Sequence, residues 1–400
     1  MTATCFNEQN NDIVWSETLF LANDMLRYWV SKSSIRTTAQ DTRTLSLHVL
    51  SRAGFGKSFK FEGHDERVAA SPSASYKDSL QTILENCVLI MALGTKFLAK
   101  PWLPRKLRRL HEACVSFRKY MTDLYEEEKA AVAEGRSTDK NLMTSLVRAS
   151  QDEMKTGTGL TENEIYGNMF VFNFAGHDTT AHTFTFAIFF LAANPQVQDW
   201  IYEELQEVLG DRLEWNYSDD FPRLKRCLAV MLETVRLYTP VPVAKWTDTL
   251  AQSLDVGGKS VILPPDTMVI PSYAAVHTEP AYWGPDSLTW RPSRWIQTND
   301  SVASKPGEEH IMTPRRGTFI GWSEGARDCP GKKFSQVEFV ATMARLFREW
   351  RVDPVTTYGE SQDAARHRVS HLIETDSAPV LLLQMLHPER APLTWRKRTV

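Results

Sequence analysis

The chain has 400 residues, of which 42% are hydrophobic and 24% charged, the composition of an ordinary globular protein with enough apolar material for a large core. Its 46 Lys and Arg stand against 49 Asp and Glu without long blocks of one sign, so there is no basic footprint for a nucleic-acid partner. Five cysteines, Cys5, Cys87, Cys114, Cys227 and Cys329, contain no CxxC pair, which fits a reducing compartment better than a disulfide framework or a zinc site.

No basic start followed by an apolar run marks a signal peptide, and the most apolar stretch, Phe184 to Ala193, is too short to cross a bilayer. Helical periodicity runs through Asp12 to Val30, Gln40 to Ala53, Tyr76 to Leu98 and Pro104 to Ala133. Thr161 followed by Glu164 forms a capping-box pattern that opens the longest predicted helix, Thr161 to Ala193, closed by Asn194-Pro195. It is apolar almost all round and is expected to be central. A second helix follows from Pro195 to Leu209 with Gly210 as its stop, and a third from Phe221 to Tyr238.

Between Pro240 and Tyr273 the texture changes. Short β-type runs, Ser260 to Leu263 and Thr267 to Ile270, alternate with Gly257-Gly258 and Pro264-Pro265, the punctuation of a small antiparallel sheet. Residues 278–331 are rich in Pro, Gly, Trp and Arg and have little periodicity, and irregular segments of that length are usually functional. Helix returns from Lys332 to Trp350, and the chain ends in edge strands, Pro379 to Met385, with a basic tail at Trp395 to Arg398.

Four local patterns occur in one order: Ala175-Gly176-His177-Asp178-Thr179-Thr180, Glu233-Thr234-Val235-Arg236, Trp290-Arg291-Pro292-Ser293-Arg294-Trp295, and Trp322-Ser323-Glu324-Gly325-Ala326-Arg327-Asp328-Cys329-Pro330-Gly331. Together they resemble the haem-thiolate cytochrome P-450 superfamily over nearly the whole chain, with the flavour of fungal members that tailor secondary metabolites. The last pattern is the most specific, because Gly325, Arg327, Cys329 and Gly331 fall at the family's spacing around its iron-binding cysteine. Trp322 stands where the family usually has Phe.

The resemblance implies a mainly α fold, the large helical cytochrome P-450 type with a small β region, forming one domain over residues 1–400 with its irregular haem-loop region at 278–331. It implies haem b held between the long helix and the cysteine loop, with Cys329 as the iron ligand, a ligand type that favours cleavage of bound dioxygen. The cysteine just before the predicted helix at Lys332 is expected to gain thiolate character from that helix's positive end. Gly325, Gly331 and Gly176 let backbone approach the porphyrin, and Arg327 would pair with a haem propionate. Lys245 falls one residue out of register from a second propionate contact.

Asp178 and Thr179 are the implied catalytic pair: Thr179 lines the dioxygen groove and Asp178 delivers the protons that O–O cleavage consumes. His177 and His182 read as structural. Glu233, Arg236 and Arg294 would form a buried network that supports the cofactor loop; without the resemblance, Glu233 and Arg236 read as an ordinary pair on one helix face. Val241, Val243, Ala244, Phe170 and Phe174 would line the substrate cavity, with core packing as the alternative. Arg315, Arg316, Lys332 and Lys333 would present a basic face to an acidic electron donor, an NADPH-dependent flavoprotein reductase.

The implied activity is insertion of one oxygen atom from O2 into a small hydrophobic substrate, in the cytoplasm or peripheral to the endoplasmic reticulum. Relative to the family the chain is expected to be shortened at its amino terminus, lacking the anchor and first helices, so a haem-binding but catalytically inactive chain is one alternative. Another is a serine hydrolase, because Gly321-Trp322-Ser323-Glu324-Gly325 also satisfies the nucleophile-elbow pattern, with His367 or His371 as base.

Overall fold

The computed structural model describes residues 6–64, 72–136, 141–156, 159–297 and 305–399; Cys5 lies outside them. Among the described residues sixteen α-helices run in chain order: α1 Glu8–Val30, α2 Thr38–Phe55, α3 Pro72–Glu85, α4 Cys87–Leu93, α5 Thr95–Leu98, α6 Arg105–Ala133, α7 Leu142–Thr156, α8 Glu162–Gly176, α9 Asp178–Ala193, α10 Pro195–Leu209, α11 Tyr217–Asp220, α12 Lys225–Leu237, α13 Tyr273–Thr278, α14 Pro280–Trp283, α15 Lys332–Phe347 and α16 Gln362–Thr375. The described strands are β1 Lys245–Trp246, β2 Gln252–Val256, β3 Lys259–Leu263, β4 Met268–Val269, β5 Ile296–Gln297, β6 His310–Ile311, β7 Trp350–Pro354, β8 Ser377–Pro379, β9 Leu383–Met385 and β10 Leu393–Lys397. They form two-stranded antiparallel ladders: β1 with β4, β2 with β3, β5 with β6, β7 with β10 and β8 with β9.

The main core lies where α1, α2, α9 and α15 pack together. Its largest fully buried side chains include Trp15, Trp29, Phe184, Phe186, Phe189, Phe339 and Phe347, each removing apolar area from water at about 25 cal/mol per Å². Phe184 of α9 stacks on Phe339 of α15 with ring centroids 5.1 Å apart, so the helix after the cysteine loop is clamped to the central helix. A second cluster gathers Tyr76, Leu80, Phe117, Met121, Tyr125, Leu146, Met169 and Phe172 from α3, α6, α7 and α8.

Several boundaries differ from the sequence expectation for local reasons. The predicted Thr161 to Ala193 helix opens on the expected capping box, Thr161 with Glu164, but breaks at His177 (φ −109°, ψ −43°) into α8 and α9. The predicted Tyr76 to Leu98 helix is three helices, because Asn86 ends the first and Gly94 turns the chain at φ +74°, a conformation glycine adopts without a Cβ penalty. Helices α7 and α16 were not anticipated, and the tail at Trp395 to Arg398 is largely the strand β10, paired along β7. Only Pro195 to Leu209 matches residue for residue, its Pro at the first turn and its Gly210 just past the last.

Candidate functional site

The site is built where the α8–α9 break faces the start of α15. Phe6 bridges the two, its ring edge-on to Phe172 of α8 at 5.4 Å and to Phe334 of α15 at 6.3 Å. At the break the Thr179 hydroxyl donates to the Ala175 carbonyl at 3.0 Å, taking up an acceptor inside the helix groove. Ala175 is exposed and Gly176, Thr179 and Phe174 are half-buried, so this face is open to a ligand. A Cβ on Gly176 would sit 3.1 Å from Leu50 Cδ2, so a side chain there would also have to push Leu50 of α2 aside.

Asp178 turns the other way. It is buried, and its Oδ1 accepts from Arg43 Nε of α2 at 2.8 Å. Arg43 Nη2 also reaches His182 Nε2 at 3.2 Å and Gln384 Oε1 of β9 at 3.1 Å. Burial alone would raise the Asp178 carboxyl, but the neighbouring His177 ring, the Arg43 guanidinium and the His182 ring outweigh it and hold the group below the usual range. Burial pushes His182 down to about 4, so it is neutral and accepts from Arg43, a structural role as expected. His177 joins Asn173 O at 2.8 Å through Nδ1. A cleft lined by Gln81, Glu85, Leu381 and Gln384 opens onto Asp178 from outside. Asp178 thus lies on the cleft side and Thr179 on the groove side.

Cys329 is exposed and lies three residues before α15. Its amide donates to the Trp322 carbonyl at 2.9 Å and closes the loop. Burial of the loop's inner side pushes the thiol up, and the Gly331 amide and Lys332, which act in the opposite direction, do not compensate. The Gly331 amide and Lys332 at the start of α15 favour the thiolate as expected, but desolvation outweighs them in the metal-free loop, so an incoming metal must displace the proton. Gly325 has φ +97° and nothing within 4 Å of a Cβ, while a Cβ on Gly331 would meet only Cys329 Sγ at 3.8 Å. Trp322 fixes the other side of the loop by donating its indole N–H to Ser335 Oγ at 3.1 Å.

Lys245 Nζ donates to the Arg327 carbonyl at 3.0 Å, so the residue that was out of register in the sequence lies beside the loop. Among the described residues no carboxylate pairs with Arg327 or Lys245. An accessible thiol, a loop face cleared of side chains and the two cations Arg327 and Lys245 fit a planar, iron-containing, dicarboxylate group, and the residues present fit haem.

Below the loop, Glu233 is fully buried. Its carboxylate accepts from Arg236 Nε and Nη2 (both 2.9 Å), Arg294 Nε (2.8 Å), the Arg291 amide (2.9 Å) and the Trp295 indole (2.9 Å). Arg236 Nη1 donates onward to the carbonyls of His277 and Ser287, and Arg294 Nη1 to that of Trp283 at 2.8 Å. The network ties α12 to the irregular segment, and it is buried and not the ordinary surface pair. Sequence reasoning missed its keystone, His277. The Ile320 amide donates to His277 Nε2 at 2.9 Å, so Nδ1 carries the proton and donates to Arg236 O at 3.0 Å. Burial holds this imidazole down at about 4, and the neutral ring couples α12 to the strand-like entry into the cysteine loop. A lone His in a long aperiodic stretch carries no signal that would have found it. Arg43 was missed because nothing in the predicted Gln40 to Ala53 helix says that this arginine meets Asp178, 135 residues away.

Of the other anticipated residues, Phe170 is exposed and stacks on Phe174 at 5.8 Å, and Val241, Val243 and Ala244 are half-buried; none belongs to the sealed core. Arg315, Arg316, Lys332 and Lys333 are all exposed around the loop, with Arg316 paired to Glu324 at 3.2 Å. Ser323 does adopt φ +63°, as a nucleophile elbow would, but turns follow it in place of a helix, and the described ladders are antiparallel pairs without the parallel sheet a doubly wound hydrolase needs. His367 and His371 sit on α16, and no histidine hydrogen-bonds Ser323 among the described residues.

Comparison with known proteins agrees with this geometry. The family profile described as Cytochrome P-450 matches residues 18–370. A cytochrome P-450 monooxygenase of Arthrobotrys oligospora is 29% identical over 99% of this chain and 73% of its own length. The monooxygenase prx9 of Penicillium rubens is 31% identical over 93% of this chain and 68% of its own. A monooxygenase named for a phomenoic acid biosynthesis cluster, from Leptosphaeria maculans, is 29% identical over 90% and 66%. Among solved structures, the haem domain of a cytochrome P-450 DA mutant superposes with a TM-score of 0.72 at 18% identity, covering 99% of this chain and 76% of that one.

Proposed function

The chain belongs to the cytochrome P-450 family of haem-thiolate oxidoreductases, and on that premise we propose that it inserts one oxygen atom from O2 into a small hydrophobic substrate of a secondary-metabolite pathway. The observation that carries the reading is the exposed Cys329 thiol in a loop that bears Arg327, whose carbonyl accepts from Lys245, in a chain whose Gly176 and Thr179 are only half-buried. The pathway assignment rests on the relative named for a biosynthesis cluster.

In this reading residues 1–400 act as one catalytic domain. Cys329 ligates the iron of haem b, the Gly331 amide steadies the sulfur, and Arg327 and Lys245 take the propionates. Haem ligated by a thiolate supplies the dioxygen activation. Thr179, with its hydroxyl on the Ala175 carbonyl, holds a proton donor at the groove, and Asp178 takes up protons from the cleft that Glu85 borders. Phe170, Phe174, Val241, Val243 and Ala244 give the substrate an apolar wall. Electrons come from an NADPH-dependent flavoprotein reductase whose acidic face meets Arg315, Arg316, Lys332 and Lys333. The setting is cytoplasmic or peripheral to the endoplasmic reticulum; no described helix is long and apolar enough to cross a membrane.

The test is the carbon monoxide difference spectrum of the reduced, haem-loaded protein beside Cys329→Ser. The expected result is a red-shifted thiolate band in the native chain only. Its absence from the native chain overturns the assignment of Cys329. A band without NADPH-dependent product in the presence of a reductase establishes the alternative, a haem-binding chain without turnover.

A further inference from the structure

The break between α8 and α9 involves a third side chain besides Asp178 and Thr179. On its amino-terminal side two carbonyls each meet a side-chain donor four residues on: Ala175 O takes the Thr179 hydroxyl at 3.0 Å, and Asn173 O takes His177 Nδ1 at 2.8 Å. A carbonyl oxygen only accepts, so Nδ1 carries the hydrogen. Side chains that insert into the helical ladder in this way bend a helix, and His177 sits at the break itself, with φ −109° and ψ −43°.

The carbonyl that His177 holds is itself fixed. Asn173 is fully buried; its Oδ1 accepts from the Tyr76 hydroxyl of α3, and its Nδ2 donates to the Met169 carbonyl at 2.8 Å and meets Met121 Sδ of α6 at 3.3 Å. Tyr76 stacks in turn on Tyr120 of α6, with ring centroids 4.5 Å apart. From that anchor the buried imidazole extends to Asp178, where Nε2 lies 4.0 Å from Oδ1, the same oxygen that Arg43 Nε of α2 holds at 2.8 Å. The other titratable groups on this side are His182 of α9 and Glu85 of α3, which line the same cleft. Burial acts to raise the Asp178 carboxyl, and the His177 ring, with Arg43 and His182, holds it down.

We propose that His177 is a positioning residue for the proton relay: through Nδ1 it holds the break at Asn173, and through the opposite edge of its ring it keeps the Asp178 carboxylate turned to Arg43 and the cleft. The inference rests on the relay role given to Asp178 above. A histidine that only filled the core would give its ring to apolar neighbours. Here both nitrogens face polar atoms whose places are set by other helices.

Two substitutions separate the two edges. His177→Asn keeps an amide able to donate to the carbonyl four residues back, as Asn86, Asn168 and Asn194 do in this chain at 2.9, 2.7 and 2.8 Å, but sets no ring beside Asp178. His177→Leu loses both edges. Amide hydrogen exchange of the full chain as purified is followed in peptides covering residues 173–181. His177→Leu is expected to exchange roughly fivefold faster there, the loss of one hydrogen bond, with other peptides unchanged, and His177→Asn to exchange like the native chain. NADPH oxidation with an added flavoprotein reductase is then compared at about pH 5.5 and about pH 7.5. Without the His177 ring the Asp178 carboxyl rises and its charge is lost sooner as pH falls, so the rate at the lower pH relative to the higher is expected to drop roughly twofold or more below the native ratio in both variants. A packing role alone leaves that ratio native in His177→Asn. Unchanged exchange in His177→Leu overturns the proposal, as does a His177→Asn protein that exchanges as fast as His177→Leu, or a pH ratio that stays native in both variants. Faster exchange throughout the chain marks general loosening and overturns it as well. A native chain without the thiolate band in carbon monoxide fails the haem reading instead, and the exchange measurement still decides the role of His177.

Discussion

Replacing Glu233 by Gln is the perturbation that most directly measures how the cofactor loop is supported. The carboxylate is fully buried and receives five hydrogen bonds, three of them from the guanidinium groups of Arg236 and Arg294, whose side chains are 0% and 5% exposed. Gln keeps the shape but removes the charge, leaving the buried Arg236 guanidinium without a carboxylate, Arg294 with Asp286 alone, and one amide hydrogen facing donors. Breaking a buried pair from one side costs about 3–5 kcal/mol. Unfolding entropy of about 2.1 cal/mol/K per residue, carried over 400 residues, converts 4 kcal/mol into a fall in Tm of about 5 °C. The comparison is Asp286→Asn, which touches the same Arg294 and also Arg291 but at a carboxylate that is 36% exposed, where about 0–1 kcal/mol is expected. Differential scanning calorimetry of both variants decides it. A Glu233→Gln protein that melts no lower than Asp286→Asn would refute the claim that this network, and not general packing, holds the irregular segment in place.

His277→Ala orphans the Ile320 amide and the Arg236 carbonyl, so a loss of about 2–4 kcal/mol is expected from two unmet buried groups, together with weaker haem retention on gel filtration; His277→Asn should recover part of both. Asp178→Asn removes the charge that Arg43 holds and is expected to lower kcat about a hundredfold while the carbon monoxide spectrum keeps its shape, which separates proton delivery from haem binding. Glu338 is fully buried on α15, neither of its oxygens finds a partner, and Ser46 beside it is not aligned to donate; burial raises its carboxyl to about 8 from an ordinary 4.5. An acid raised on folding stabilises fully below its unfolded value and loses that contribution as pH rises through the folded one. The Tm should therefore decline between about pH 4.5 and 8, and Glu338→Gln should flatten the decline; an unchanged slope in a Tm-versus-pH series would remove Glu338 as its cause.

Much of the site was legible because it is written in short, local patterns. Cys329, with Gly325, Arg327 and Gly331 around it, occupies ten residues, and the backbone they shape needs only turn chemistry and a following helix. Glu233 and Arg236 are three apart on one helix, so their pairing followed from the period. Arg294 was tied to them only by resemblance, since nothing in sixty intervening residues says which face it meets. The helix α10 was readable to the residue because Pro195 and Gly210 are local stop signals. Helix α16 was overlooked since only Ala365, Val369 and Ile373 are buried along it, spaced among charged neighbours.

What the sequence determined by itself was the class of chemistry: a cysteine loop, a helix carrying Asp178-Thr179 and a helix carrying Glu233 and Arg236, in an order that one family shares. What only the tertiary structure decided were the relations across space. Asp178 and Thr179 are about 100° apart round the helix, as neighbours at 3.6 residues per turn must be, but that Asp178 meets Arg43 of α2 is a tertiary fact. Lys245 comes to Arg327 across some eighty residues, and His277 closes the path from Arg236 to Ile320. The Cys329 thiol is raised and not lowered since desolvation depends on how much protein lies behind the loop. Hydrogen bonds, ion pairs and desolvation act over a few ångströms between residues that are far apart in the chain, and no local pattern records which of them will meet.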